Sequence, residues 1–167
     1  MNITPTLHLI YGIPGSGKTS FAVKLERETR GVRFSPDEWM VTLHGTNPLE
    51  KLFREQHERI MLLVWEHVGR VLRAGCDVVL DAGLWTRADR DEARKRAAEF
   101  DAQSRLYALQ CDVDEARRRV AARNKALPFG ALEITEATFE VLLKRIEPLG
   151  EDEAHILVEG RSVGIKI

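Results

Sequence analysis

One segment says most about the fold of this chain: Leu7-His8-Leu9-Ile10-Tyr11-Gly12-Ile13-Pro14-Gly15-Ser16-Gly17-Lys18-Thr19. Its second part matches the template G-x-x-x-x-G-K-[ST] without a mismatch and directly follows an apolar run. The glycines let the backbone N–H groups face a phosphate, the lysine adds a cation, and the threonine hydroxyl can bind Mg²⁺. A helix beginning at Lys18 would present its positive end to the same phosphates. This phosphate-binding loop (P-loop) predicts nucleotide binding by Gly12, Pro14, Gly15, Ser16, Gly17, Lys18 and Thr19. The alternative is a glycine-rich turn without a ligand, which the position between an apolar run and a helix disfavours.

Length and composition favour a single domain. The 167 residues are 44% apolar, which is enough to form one core. The 25 basic and 26 acidic residues give a net charge of −1, so we expect no general attraction to nucleic acid or to an anionic membrane. We see neither a signal peptide nor an apolar run near the ~20 residues of a membrane span. Two cysteines do not indicate a disulfide framework. We therefore expect one cytoplasmic domain over residues 1–167.

Short apolar or β-branched runs alternate with longer helical patterns along the chain. This alternation predicts an α/β fold in which helices cover both faces of a parallel sheet. We predict five strands, at Leu7–Tyr11, Val32–Phe34, Asp77–Leu80, Arg105–Gln110 and His155–Glu159.

Polar residues mark the starts of several helices. Asn47-Pro48-Leu49-Glu50 predicts the start of a long helix, capped by Asn47, that ends near Gly75. Thr86 with Asp89, and Asp112 with Glu115, predict two further starts. A last helix is expected over about residues 135–146.

Missing motifs narrow the function of the nucleotide site. In a hydrolysing motor a Glu usually follows the Asp at the end of the second acidic strand, whereas Val78-Val79-Leu80-Asp81 is followed by Ala82. The guanine-binding motif N-K-x-D is absent, since Asn124-Lys125 continues with Ala126-Leu127. No ABC-type signature occurs either. Phosphoryl transfer to an acceptor remains, a reaction in which the protein positions the reactants and neutralises charge.

Two carboxylates follow predicted strands, at the sheet edge where ligands of such folds bind. Asp37, in Ser35-Pro36-Asp37-Glu38, is our candidate general base for an acceptor hydroxyl. The same four residues also read as a helix-capping box, in which Asp37 would only favour the helix dipole. Asp81 is expected to reach Mg²⁺ through a bound water, or alternatively to cap the next turn.

Aromatic and basic residues on either side suit an acceptor. Trp39 and Trp85 are expected to wall a compact pocket for one flat or partly apolar molecule, although Trp85 could simply pack. Arg87 and Arg90 are candidates for holding phosphate or acceptor, or are ordinary surface arginines.

A basic cluster, Arg117–Arg123, follows the fourth predicted strand. Arg119 and Arg123 are four residues apart and share one helix face. We expect at least one of them to swing over the phosphates in a mobile lid spanning about residues 117–130. The alternative is a solvated face paired with Asp114 and Glu115.

With the P-loop, Asp37, Asp81 and the Arg119/Arg123 pair in this order, the chain resembles the AAA-like P-loop kinases. That group includes chloramphenicol phosphotransferase, zeta-toxin-type kinases and polynucleotide 5′-kinases. The resemblance implies a three-layer P-loop fold with a five-stranded parallel sheet of order 2-3-1-4-5. It also implies ATP and Mg²⁺ as cofactors, Lys18 and Thr19 at phosphate and metal, Asp37 as base, and Arg119 or Arg123 in the lid.

The acceptor stays open at this stage, because residues 39–54 match no acceptor motif. A small-molecule hydroxyl is our first hypothesis. A polynucleotide 5′-hydroxyl is the second, and it is disfavoured by the balanced charge. A nucleotide-binding regulator without an acceptor is the third.

Overall fold

Five parallel strands form one sheet in the computed structural model, which describes residues 4–159. The strands are β1 (Thr6–Tyr11), β2 (Val32–Phe34), β3 (Val78–Leu80), β4 (Gln103–Gln110) and β5 (Ile156–Glu159). Their order is β2-β3-β1-β4-β5. In the register, Leu9 of β1 lies opposite Leu80 of β3 and Leu106 of β4. Both the strand order and the five predicted strands are confirmed, with shifts of one or two residues at their starts.

Six helices connect the strands. They are α1 (Lys18–Thr29), α2 (Pro36–His44), α3 (Glu50–Arg73), α4 (Arg87–Glu99), α5 (Val113–Asn124) and α6 (Glu136–Arg145). None of these helices combines the length and apolar character needed to cross a membrane within residues 4–159.

The observed helix starts confirm two of the helix caps predicted from the sequence and contradict one. Thr86 and Asp89 form a complete capping box at α4, and Asp112 accepts hydrogen bonds from the backbone of Asp114 and Glu115 at α5. The prediction for α3 was wrong in its cap, because the helix begins at Glu50 with Leu49 at the N-cap and no side-chain cap. Leu49 has an extended backbone (φ −59°, ψ 123°), so the chain turns helical two residues after the expected proline position.

Alternate residues of the strands build a core on each face of the sheet. On one face Leu7 and Leu9 pack with α2, α3 and α4. On the other face Ile10 and Val79 pack with Ala22 and Leu25 of α1. A smaller cluster joins α5 to α6. Because both faces are covered, the fold is the expected three-layer sandwich.

This topology fixes where the chemistry can occur. The strands are parallel, so their carboxyl ends share one edge of the sheet. The P-loop follows β1 there, Asp37 follows β2, Asp81 follows β3, and Asp112 follows β4.

Candidate functional site

The P-loop has the backbone of an anion site. Gly15 has φ +80°, and a Cβ there would lie 2.4 Å from the carbonyl oxygen of Ala116. Gly17, at φ +95°, is the N-cap of α1, and no side chain caps the helix. The loop therefore leads directly into a helix start that no side chain caps. The buried Ser16 hydroxyl has no hydrogen-bond partner among the described residues. A phosphate group would satisfy donors of this kind.

Lys18 lies folded against the loop. Its Nζ donates to the carbonyl oxygens of Gly12 and Ile13, both at 2.8 Å. Burial lowers the pKa of Lys18 to about 8, while the carboxylates of Asp81 and Asp37 oppose that fall. An anionic ligand at the loop would add to the charges that keep this amine protonated.

Thr19 and Asp81 come together as a pair of oxygen ligands. The Thr19 Oγ1 donates to Asp81 Oδ1 at 3.4 Å, and the Asp81 side chain is only 7% exposed. Burial raises the pKa of the Asp81 carboxyl, and Arg33 opposes this rise. One hydroxyl and one carboxylate, with no cluster of three or more His, Cys, Asp or Glu ligands in residues 4–159, suit Mg²⁺ that keeps several waters and binds nucleotide phosphates. The donor set therefore fits the expected cation.

Asp37 stands free in the first turn of α2. No hydrogen bond or ion pair engages its carboxylate within the described part of the chain. The residue is exposed. The charges of Lys18 and Arg123 both act on its carboxylate. Desolvation by the surrounding protein raises the pKa of Asp37, and the charges of Lys18 and Arg123 oppose the rise.

The capping alternative for Asp37 is only half realised. The Ser35 hydroxyl accepts a hydrogen bond from the backbone N–H of Glu38 at 3.4 Å. The Glu38 carboxylate does not return to Ser35. It binds Arg33 instead.

Arg33 is the residue of this site that sequence reasoning missed. It lies in β2, its guanidinium is 13% exposed, and it bridges Asp81 and Glu38. The available signal was a charged residue inside the three-residue strand Val-Arg-Phe. Such a residue needs a partner when buried.

The two candidate lid arginines differ in their surroundings. Arg119 donates to Glu115 at 2.8 Å and lines a cleft of about 590 Å³ with Gly12, Ile13 and Cys111. Arg123 instead faces the phosphate side, where Asp37 and Lys18 feel its charge. Its Nη2 reaches the Leu132 carbonyl at 3.5 Å, and its buried Nε has no partner among residues 4–159.

The segment that follows α5 crosses to α2 and to the loop between α2 and α3. Gly130 packs so tightly on Glu38 that a Cβ there would lie 2.3 Å from the Glu38 Cγ. The backbone N–H of Glu133 donates to Thr46 O at 3.0 Å. Asn124 ties the base of this segment to Ile134 O at 2.7 Å. The expected lid region thus touches α2 and the α2–α3 loop in this structure.

Trp39 and Trp85 are both half-buried. Trp39 packs edge-on against Phe34 and His67, with ring centroids 6.3 and 5.9 Å away. The Trp85 ring lies over Gly83, and its buried indole N–H has no partner among the described residues. Trp39 is thus mainly a packing residue, whereas Trp85 keeps an unused donor.

Arg90 has a different role from the one expected. It is fully buried, its guanidinium binds both oxygens of Glu153 at 2.8 Å, and its remaining donors reach backbone carbonyls of Leu84, Trp85, Glu147 and Pro148. No donor is left for a substrate, so Arg90 anchors the chain near residue 150.

Arg87 joins the same anchor. It binds both oxygens of Asp152, at 2.8 and 3.0 Å, and Asp91 at 2.8 Å. Its position at the start of α4 is the predicted one, but its contacts in this structure are structural.

The fold and the P-loop geometry define the class: an α/β protein with a nucleotide-type phosphate site. A family model described as an AAA domain matches residues 7–149, most of the chain. The chain belongs to this family. No curated protein is a detectable relative of the chain.

Several solved structures have a similar fold at low sequence identity. A sugar kinase from Janibacter sp. HTCC2649 has a TM-score of 0.64 and 19% identity, with 95% of this chain and 86% of that chain covered. Kti12 of Chaetomium thermophilum, in complex with ADP-AlF3, has a TM-score of 0.66 and 20% identity, with 92% and 88% covered. The Pnkp1/Rnl/Hen1 RNA repair complex has a TM-score of 0.72 and 23% identity, with 87% of this chain but only 45% of that one covered. The chain has the fold of P-loop kinases.

Proposed function

We propose that this chain is an ATP-dependent kinase that transfers the γ-phosphoryl group to a hydroxyl of a small-molecule acceptor. The observation that carries the proposal is the unpaired Asp37 carboxylate after β2, near enough to Lys18 and Arg123 for both charges to act on it. A carboxylate beside a phosphate site, with no structural partner of its own among residues 4–159, is available to accept a proton.

Each residue of the site has a defined task in this proposal. The N–H groups of the P-loop and Lys18 hold the nucleotide phosphates. Asp37 takes the proton of the acceptor hydroxyl while the hydroxyl oxygen attacks the γ-phosphorus. The bond from the γ-phosphorus to ADP breaks, and ADP leaves. Arg123 offsets charge on the transferred group, since its Nε has no other partner in the described chain. Thr19 and Asp81 would hold Mg²⁺, which neutralises phosphate charge when bound.

The nucleotide base has a natural place beside the P-loop. The cleft of about 590 Å³ adjoins Gly12 and Ile13 and is lined further by Tyr11, Leu109, Cys111 and Arg119. Its apolar walls suit a flat ring, and a guanidinium can stack on one. We therefore propose a base-binding role for Arg119 and a phosphate-binding role for Arg123.

A polynucleotide 5′-hydroxyl is the second candidate acceptor. The similarity to a chain of an RNA repair complex favours it. The local charge disfavours it, because residues 37–54 carry Asp37, Glu38 and Glu50 against Lys51 and Arg54, which is three acids to two bases. A polymer acceptor would need several cations along its phosphates.

One experiment distinguishes these candidate functions. The protein is incubated with γ-labelled ATP and Mg²⁺, either with small hydroxyl compounds (nucleosides, sugars, amino-alcohol antibiotics) or with a short hydroxyl-terminated oligonucleotide. We expect label on a small molecule and none on the strand, with Asp37→Asn inactive and Glu55→Gln on the exposed face of α3 as the unaffected control. Efficient 5′-labelling of the oligonucleotide that depends on Asp37 would favour the hypothesis of a polynucleotide 5′-kinase. Binding of ATP without transfer to any acceptor would favour a regulator.

A further inference from the structure

Arg33 connects three parts of the site that the sequence keeps apart. Its Nη1 lies 2.9 Å from Asp81 Oδ2 at the end of β3, and its Nη2 lies 2.5 Å from Glu38 Oε1 in the first turn of α2. Its backbone N–H donates to Glu26 Oε1 of α1 at 2.9 Å. A planar guanidinium can hold two carboxylates in fixed directions, which a lysine cannot do.

The two oxygens of Asp81 have different partners. Oδ2 accepts from Arg33, while Oδ1 points to the Thr19 hydroxyl. Both side chains are nearly buried, with Arg33 13% and Asp81 7% exposed. The ion pair therefore fixes the rotation of the carboxylate and leaves Oδ1 on the side of Thr19.

The contact with Glu38 acts on the neighbouring residue. Glu38 follows Asp37 in the chain, so a guanidinium that holds Glu38 also fixes the first helical turn on which Asp37 stands. Arg33 thus contacts Asp81 directly and reaches the Asp37 turn through Glu38. The same Glu38 side chain contacts Gly130 of the expected lid segment.

We propose that Arg33 is a positioning residue that orients Asp81 for a divalent cation and holds the Asp37 turn in register with it. This inference rests on the proposed kinase function, because it gives Asp81 a cation to serve. Removing a residue that hydrogen-bonds to a metal ligand typically lowers metal affinity by about 10–100-fold.

A competing role would have the opposite sign. If the Arg33 guanidinium occupied the position of the metal ion, it would compete with the metal for Asp81. Removing Arg33 would then strengthen metal binding. The geometry favours positioning, because Arg33 occupies Oδ2 and leaves Oδ1 beside Thr19.

The test measures metal binding directly rather than activity. Mn²⁺ is titrated into protein and ADP, and free Mn²⁺ is followed by electron paramagnetic resonance. For Arg33→Gln we expect Mn²⁺ affinity about tenfold or more below that of the wild-type protein. ADP binding in EDTA should be unchanged, because the P-loop contacts remain. Equal or tighter Mn²⁺ binding in Arg33→Gln would overturn the proposal.

Three further variants keep the result interpretable. Arg33→Lys retains a charge but not the fork, so we expect it to recover only part of the affinity. Glu38→Gln leaves the Arg33–Asp81 pair intact, so Mn²⁺ affinity should stay near wild type while kcat falls. Glu28→Gln is the matched control, since it removes an exposed carboxylate of α1 that pairs with Lys24 and not with Arg33, and it should bind Mn²⁺ normally. A Mn²⁺ loss in Glu28→Gln equal to that in Arg33→Gln would mean that the loss reflects a general effect of charge rather than the contact between Arg33 and Asp81.

Failure of the two proposals can be told apart. A wild-type protein that binds neither ADP nor Mn²⁺ would contradict the kinase proposal itself. A wild-type protein that binds both, with Arg33→Gln and Arg33→Lys unchanged, would contradict only the role of Arg33. If Arg33→Gln does not fold by circular dichroism, Arg33→Lys and Glu38→Gln decide the question.

Discussion

The phosphate side of the cleft and its proposed acceptor side differ in how their contacts are made. On the phosphate side, Gly12 to Thr19 are contiguous, and the partners of Lys18 are five and six residues away. On the acceptor side, Arg90 binds Glu153, 63 residues further along the chain. Local contacts follow from a motif, whereas distant ones depend on how the sheet and helices pack. The sequence motif therefore predicts the phosphate site directly. On the proposed acceptor side, Arg90 forms a structural contact that no motif predicts.

The largest expected effect tests whether Asp37 belongs to the chemistry. Asp37→Asn removes the proton acceptor but keeps the shape, so transfer to the true acceptor should fall by about 10²–10⁴-fold with nucleotide affinity nearly unchanged. Rates with labelled ATP and equilibrium binding of ADP measure the two quantities. Transfer close to the wild-type rate would leave Asp37 as a residue that only favours the α2 dipole.

The next effect concerns the scaffold of the acceptor side. Glu153→Gln leaves Arg90 buried without its charge partner, and breaking one side of such a pair typically costs about 3–5 kcal/mol of unfolding free energy. Urea unfolding followed by circular dichroism measures the loss. Glu151→Gln, on an exposed neighbour, is the control. A loss below about 1 kcal/mol would mean that the anchor contributes little.

The same pair predicts a pH dependence. Hydrogen bonds from Arg90, and further from Arg94, hold the pKa of Glu153 well below its usual value of 4.5. Because the folded state favours the ionised carboxylate, its stabilisation is complete above pH 4.5 and is lost as the pH falls below it. Unfolding curves at decreasing pH should therefore converge for wild type and Glu153→Gln. Parallel curves would contradict the assignment.

A smaller effect is expected at the P-loop lysine. Lys18→Ala removes one charge-assisted contact, so Mg-ATP should bind about tenfold to a hundredfold more weakly. The melting shift produced by Mg-ATP measures this, with Lys24→Ala on exposed α1 as control. An undiminished shift in Lys18→Ala would argue against the phosphate-site interpretation.

The smallest expected effect distinguishes the two candidate lid arginines, Arg119 and Arg123. Arg123→Ala should lower the transfer rate about tenfold or more while ATP binding changes little, because its contact strengthens as charge moves to the transferred oxygens. Arg119→Ala should instead raise the KM for ATP, since Arg119 lines the cleft beside the P-loop. Steady-state kinetics resolve kcat from KM. Equal behaviour of the two variants would remove the distinction drawn from their surroundings.

Particular residues show how far prediction from sequence reached. Thr86 and Asp89 identified a helix start because a capping box is a contact over three residues. Asn47 and Pro48 failed as the start of α3, since Leu49 has an extended backbone and the helix begins at Glu50. Arg87 and Arg90 were candidates for holding phosphate or acceptor, or else ordinary surface arginines. The structure pairs them with Asp152 and Glu153, in a segment that no local sequence pattern connects to them.

By itself, the amino-acid sequence determined the sheet, the P-loop and the positions of Asp37 and Asp81 after their strands. Periodicity, glycine placement and capping act over a few residues, and parallel strands bring their ends to one edge. Only the tertiary structure decided that Arg33 binds Asp81, that Arg123 rather than Arg119 faces Asp37, and that Arg90 is buried on Glu153. Each of these choices depends on which side chain of a neighbouring element is within reach, and that distance is set by packing of the whole fold.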